Sequence, residues 1–225
     1  MTFASRAYRF YTSLGAPSVP RGISVMNPYA ERATRRCVRA FLEKYFCDDR
    51  PRVLVFGINP GRFGAGITGV TFTDPLALAD FCGIPNALGR KRELSSVFIY
   101  DFIARFGGPR AVYRDFFLTA VSPLGFTLGG VNLNYYDVPE LRRRVTPFIV
   151  SSVERQIAMG GRTDHAIVLG RGQNMKFMQE LNEEHGWFGA LHALEHPRWI
   201  LQYRRPTAAK FADRYVETFR RVGPS

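Results

Sequence analysis

Four short apolar runs constrain this chain more than anything else in it: VLVFG (53–57), FFLTAV (116–121), AIVLG (166–170) and ALHAL (190–194). Each is too short for an ordinary helix. None alternates as a strand with one wet face would, so each predicts a strand buried on both faces. Helical patterns separate them at 94–106, 139–158 and 171–186, with a further one at 206–221 and an amphipathic one at 29–46. In the 29–46 pattern Ala30, Ala33, Cys37, Phe41 and Tyr45 form the apolar stripe. Pro147 is expected to kink or split the 139–158 helix. Strands alternating with helices predict an α/β fold with a central, mainly parallel four-stranded sheet covered on both faces. Ligands bind such sheets beyond the carboxyl ends of the strands. That rule gathers residues 58–74, 122–137 and 195–205 around one cleft. Residues 1–25, with breakers at Pro17, Pro20 and Gly22, read as an irregular arm, and 26–225 as a single domain.

The 225 residues, 46% of them hydrophobic, suffice for one sizeable core. No run approaches the ~18 consecutive apolar residues of a membrane helix, and the N-terminus lacks a secretory apolar region. The expectation is an intracellular, cytoplasmic protein with no membrane partner. Cys37, Cys47 and Cys82 are odd in number and form no CxxC pair, which speaks against disulfides and against a four-cysteine metal site. His192 and His196 are four apart, but they lie in an apolar strand-like run that enters His-Pro, with no third ligand in view, so no metal and no cofactor are expected. The net charge of +12, from 31 basic and 19 acidic side chains, is mostly arginine. Arginine binds phosphate bidentately and stacks on bases, so nucleic acid is a candidate partner. Solubility is the plainer reading of the same charge.

Two segments carry chemistry. GINPGRFGAGITGVTFTDP (57–75) holds five glycines, a density that implies tight turns or backbone close to a ligand. It has neither the GxxxxGK[ST] nor the GxGxxG spacing of phosphate loops. Asn59 follows a buried strand and precedes Pro60, which suits a side chain aimed into the cleft and equally a turn cap. LEHPRWILQYRR (194–205) interleaves Arg198, Arg204 and Arg205 with Trp199 and Tyr203, as a single nucleic-acid strand requires; a core Trp beside solvated arginines is the alternative.

Together these segments resemble the two motifs of uracil-DNA glycosylases of the single-strand-selective monofunctional (SMUG) type. Gly57, Asn59, Pro60, Gly61, Phe63, Gly64, Thr68, Gly69, Val70 and Phe72 fall in register with the first motif. His196-Pro197 resembles the opening of the second, and FLTAVSPL (117–124) the family's central strand and its exit. The resemblance spans roughly residues 50–205. It implies a three-layer α/β/α sandwich and an enzyme that flips uracil out of DNA and hydrolyses the N-glycosidic bond in base excision repair, acting as a monomer on single- or double-stranded DNA. It implies that Asn59 orients the water and the base and that His196 donates to the departing uracil. It implies that Phe72 stacks on the ring, and that Gly57, Ile58 and the backbone of Gly61 and Ala65 line the pocket. Arg62, Arg198, Trp199, Arg204 and Arg205 would meet DNA.

Two departures suggest a divergent bacterial branch. The asparagine that reads the base from the central strand is replaced by Ala120, leaving Ser122, Asn132 or Asn134 to substitute. The second motif continues as Arg198-Trp199-Ile200-Leu201, so Trp199 or Leu201 is the candidate wedge. Asp74, Asp101 and Asp137 are further candidates for activating water. A binding protein without turnover, and a hydrolase of free nucleosides, remain alternative functions.

Overall fold

The computed structural model describes residues 1–223. In chain order the elements are α1 (Phe3–Thr12), β1 (Ile23–Met26), a 3-10 turn (Pro28–Ala30), α2 (Arg32–Tyr45), β2 (Arg52–Gly57), α3 (Ala65–Thr68), α4 (Pro75–Asp80), α5 (Leu94–Phe106), α6 (Pro109–Asp115), β3 (Phe116–Ala120), β4 (Gly125–Leu128), β5 (Val131–Leu133), α7 (Pro139–Ala158), β6 (Gly161–Leu169), α8 (Gln173–His185), β7 (Ala190–Leu194), α9 (Pro197–Tyr203), a second 3-10 turn (Arg205–Thr207) and α10 (Ala208–Val222).

The four apolar runs become one parallel sheet of order β3-β2-β6-β7. Every residue of β2 and β3 is buried, as strands covered on both faces must be. Neighbouring side chains of β3 show the two covering layers, because they point to opposite faces. Phe117 packs on Phe3 and Tyr11 of α1 and on Phe46 just past α2, whereas Phe116 packs on Phe106 of α5 and Phe219 of α10. Thr119, on the Phe117 side, donates to Gln156 of α7 at 2.5 Å. The result is the three-layer α/β/α sandwich.

Three expectations need correction. Residues 1–25 are not an irregular arm. Phe3, Ala4, Ala7, Phe10 and Tyr11 repeat at helical spacing, Thr2 caps their helix by accepting from the Ser5 N–H, and all five are buried in the main core. Pro147 does not split α7, which runs unbroken through it for 20 residues; burial of Leu141, Val145, Ile149 and Val153 on one stripe outweighs one missing hydrogen bond. The buried stripe of α2 is Thr34, Cys37, Val38, Phe41 and Leu42, rotated from the expected one and leaving Ala30 exposed.

A second, antiparallel sheet of order β1-β4-β5 has no counterpart in the sequence reading. Its strands are three or four residues long, below the length at which periodicity shows. It stands beyond the carboxyl end of β3 and supplies one wall of the cleft.

Candidate active site

The expected cleft forms. Its inner pocket is lined by residues from all three segments: Gly57–Gly61, Ala65, Thr71 and Phe72 after β2, Ala120 and Asn132–Asn134 from the β3 exit and the small sheet, and His196 and Arg198 after β7. Glu93 and Ser95, at the start of α5, complete it. The pocket opens into a groove of about 830 Å³ that shares Ile58, Asn132, Asn134, His196 and Arg198 with it.

The glycine-rich turn is built for close approach. A Cβ on Gly57 would lie 2.6 Å from Cζ of Phe72, so the Phe72 ring can lie over the end of β2 only if residue 57 is glycine. Phe72 is itself held at φ 56°, the one positive value at a non-glycine among the described residues. An aromatic residue in that region is strained, and the surrounding turn enforces it. Thr68 does much of that work: its hydroxyl donates to the Thr73 carbonyl at 2.6 Å and accepts from the Val70 N–H at 3.1 Å. From outside, Tyr29 donates to the Gly69 carbonyl and Thr34 to that of Ile67. The constrained ring ends 5.9 Å, centroid to centroid, from His196.

Asn59 lines the pocket and is also anchored. Its Nδ2 donates to the Leu133 carbonyl, and its Oδ1 accepts from the Tyr135 N–H, each at 3.0 Å. The alternative drawn from Asn-Pro, a local turn cap, therefore gives way to a long-range tether: the amide joins the end of β2 to the loop after β5. An amide oxygen holding one hydrogen bond still has a second lone pair, and the second hydrogen of Nδ2 makes only a long 3.5 Å contact with the Pro60 carbonyl.

His196 is the N-cap of α9, with Nδ1 accepting from the Arg198 N–H at 3.2 Å. Burial at the cleft floor draws its pKa down to about 4, and the adjacent Arg198 pushes the same way. At neutral pH the ring is therefore uncharged, and since Nδ1 accepts, the proton is assigned to Nε2.

Other candidates are sorted by position. Ser122 is wholly buried, donates to the Leu124 carbonyl at 2.8 Å and does not reach the pocket, so it is no substitute for the missing asparagine. Asn132 and Asn134 do line the pocket. Asp74 is buried and fully engaged, capping α4 through the Ala77 N–H and accepting from the Glu93 N–H. Asp101 pairs with Arg105 on the surface of α5. Asp137 accepts from Asn134. None of these three carboxylates lines the pocket, and none is placed to activate water there. Trp199 is 38% exposed and lines the groove with Arg198, Gln202 and Tyr203, which rules out the core position. Arg204 lies over the Trp199 ring at 5.0 Å, Arg205 is exposed, and Leu201 is half-buried. Arg62 is exposed, stacked on Phe63 and tied through its backbone N–H to Asn132 Oδ1. His192 faces His165 at 3.2 Å on the sheet edge, apart from His196, and no metal-binding cluster exists among the described residues. All three cysteines are free. No described helix is long and apolar enough to cross a membrane.

Residues 43–220 match the family model of the uracil DNA glycosylase superfamily. The chain belongs to that superfamily. Its fold superposes on the crystal structure of SMUG2 from Pedobacter heparinus with a TM-score of 0.95 and 40% sequence identity, covering 99% of this chain and 98% of that one. No curated protein sequence matches the chain.

Sequence reasoning missed Glu93, Ser95 and Thr71 in the pocket, and Tyr136 and Gln173 in the groove. Glu93 precedes an apolar helix and reads there as an ordinary N-terminal acidic residue. Only the fold brings it to Gly61 and Gly64.

Proposed function

We propose that this protein is a monofunctional DNA glycosylase that takes uracil, or a related deaminated base, into the pocket and hydrolyses its N-glycosidic bond. The observation that carries the reading is the convergence of Asn59, Phe72 and His196 on one pocket that opens into an arginine- and tryptophan-lined groove. A stacked base hides its sugar carbon, so it must leave the helix to be attacked. The groove offers Arg198 to phosphate, and Trp199 and Tyr203 to unstacked bases. Phe72 lies against the flipped ring.

Hydrolysis breaks the bond between C1′ and the base nitrogen. The bond's electron pair leaves with the base, and water oxygen bonds to C1′ after the sugar has gained positive character. Asn59 is too weak a base to take a proton from water. Its anchored amide orients that water, and a second solvent molecule accepts the proton. His196, neutral with the proton on Nε2, donates to an oxygen of the base as negative charge gathers there; a positioned donor of this kind typically contributes ~10²–10³ in rate. No lysine lines the pocket, which supports hydrolysis by water over a Schiff-base route.

The test is incubation with uracil-containing single- and double-stranded oligonucleotides, followed by alkali. Abasic product is expected. Folded protein that yields none from either substrate refutes the reading, and salt-sensitive binding without turnover would favour a binding protein, the alternative that Ala120 motivates. Hydrolysis of free deoxyuridine as fast as of the oligonucleotide would make it a nucleoside hydrolase.

A further inference from the structure

Ala120 at the pocket wall offers only a methyl group, so another side chain must read the base's polar edge. Glu93 is the acidic side chain in the pocket lining. Its carboxyl is set against the glycine turn: a Cβ on Gly64 would fall 1.7 Å from Glu93 Oε2, and one on Gly61 would fall 2.6 Å from Oε1. Both positions must be glycine for the carboxyl to occupy this place. Its backbone is fixed by the Asp74 carboxylate at 2.9 Å, and Asp74 is fixed by its cap on α4. Yet the Glu93 carboxyl itself receives no hydrogen bond from any described residue. A positioned, half-buried and unpartnered carboxyl in a pocket is a group reserved for something that enters the pocket.

We infer that Glu93 is a specificity-determining residue of this site, reading the adjacent C=O and N–H of a lactam or imide edge such as uracil carries. This rests on the glycosylase reading above. A neutral carboxyl presents one acceptor and one O–H donor, the pair an asparagine amide would present. Ionised, it presents acceptors only, faces the base carbonyl with like polarity and loses the match. Its surroundings put that change near neutrality. Burial raises its pKa to about 7; Arg198 of α9 opposes the rise and Asp74 adds to it. The other charged or titratable groups nearby are His196, in the same pocket, Arg62, turned to the Gly130 carbonyl, and Lys91, over the Phe63 ring.

The experiment compares single-turnover excision from a uracil oligonucleotide between pH 5.5 and 9 for the wild type, Glu93→Gln and Glu93→Ala, with melting curves to show that each is folded. The wild-type rate is expected to fall above about pH 7. Glu93→Gln, which keeps a donor–acceptor pair that cannot ionise, is expected to retain most of the low-pH rate and to lose that alkaline limb. Glu93→Ala is expected to run about tenfold or more below the low-pH wild-type rate, since the base's polar edge is left unpaired, and to show no alkaline limb, so that the two rates converge above about pH 7. An identical alkaline limb in wild type and Glu93→Gln overturns the inference, as does a low-pH rate in Glu93→Ala equal to that of the wild type. Absence of uracil excision by the wild type at every pH overturns the glycosylase reading instead.

Discussion

Replacing Asn59 by alanine tests two consequences of one side chain. The substitution removes the acceptor for the Tyr135 N–H and the donor for the Leu133 carbonyl, both 3.0 Å contacts at a half-buried position. Each such hydrogen bond contributes about 0.5–1.5 kcal/mol net, so the expected destabilisation is about 1–3 kcal/mol. At about 2–4 °C per kcal/mol for a chain of this size, the melting temperature should fall by roughly 2–12 °C. Catalysis should fall further than stability explains, by ~10²–10³, because the amide that orients water is gone. The assay is a thermal melt paired with single-turnover excision of uracil at a temperature where both proteins are fully folded. A melting temperature equal to wild type would refute the tether between β2 and the small sheet. A near-normal rate would refute the role in catalysis.

His196→Ala should lower the excision rate by a similar ~10²–10³ and cost about 1 kcal/mol in a thermal melt through the lost cap of α9. Because the folded pKa of His196 is about 4 against an ordinary 6.5, its imidazole in the unfolded chain takes up a proton at higher pH than in the folded one. Its contribution to stability is therefore present above pH 6.5 and declines toward pH 4; urea titrations across that window should show a weaker pH dependence in His196→Ala, and equal slopes would contradict the assignment. Trp199→Ala should weaken binding to single-stranded oligonucleotides by about 1–3 kcal/mol, as loss of one stacking platform does, while leaving the melt within a degree or two; unchanged affinity in fluorescence anisotropy would return the ring to a packing role. Ser122→Ala should keep full excision activity, and a large loss would show that its bond to Leu124 opens in the working enzyme.

How much of this was legible before folding differs by element. The four core strands could be read because each carries a short, mostly apolar run, VLVFG, FFLTAV, AIVLG and ALHAL, a pattern with few other solutions. The first motif could be read because its glycines answer local demands: residue 57 makes room for Phe72, and residue 69 takes a φ of 69°. The helix at Phe3–Thr12 carries an adequate stripe, but it is short and followed at once by the breakers Pro17, Pro20 and Gly22, which give the whole stretch an irregular signature. The small sheet was not legible, because strands of three or four residues are defined by their partners rather than by their own pattern. Glu93 was not legible for a related reason. Its meaning depends on two glycines some thirty residues earlier in the chain, and nothing in its own neighbourhood marks it.

The pairing of β1 with β4, from Ile23↔Leu128 to Met26↔Gly125, bears on where this protein can be cut. The stretch that matches the family model begins at residue 43, and a shortened version drawn to that limit would keep every motif. It would discard the strand that borders the sheet holding Asn132 and Leu133, the helix against Phe117, and the Tyr29 and Thr34 hydroxyls that clamp the glycine turn from behind. The segment by which the chain is classified is thus smaller than the segment that holds its pocket in shape, and the first forty residues work as scaffolding for chemistry they never touch.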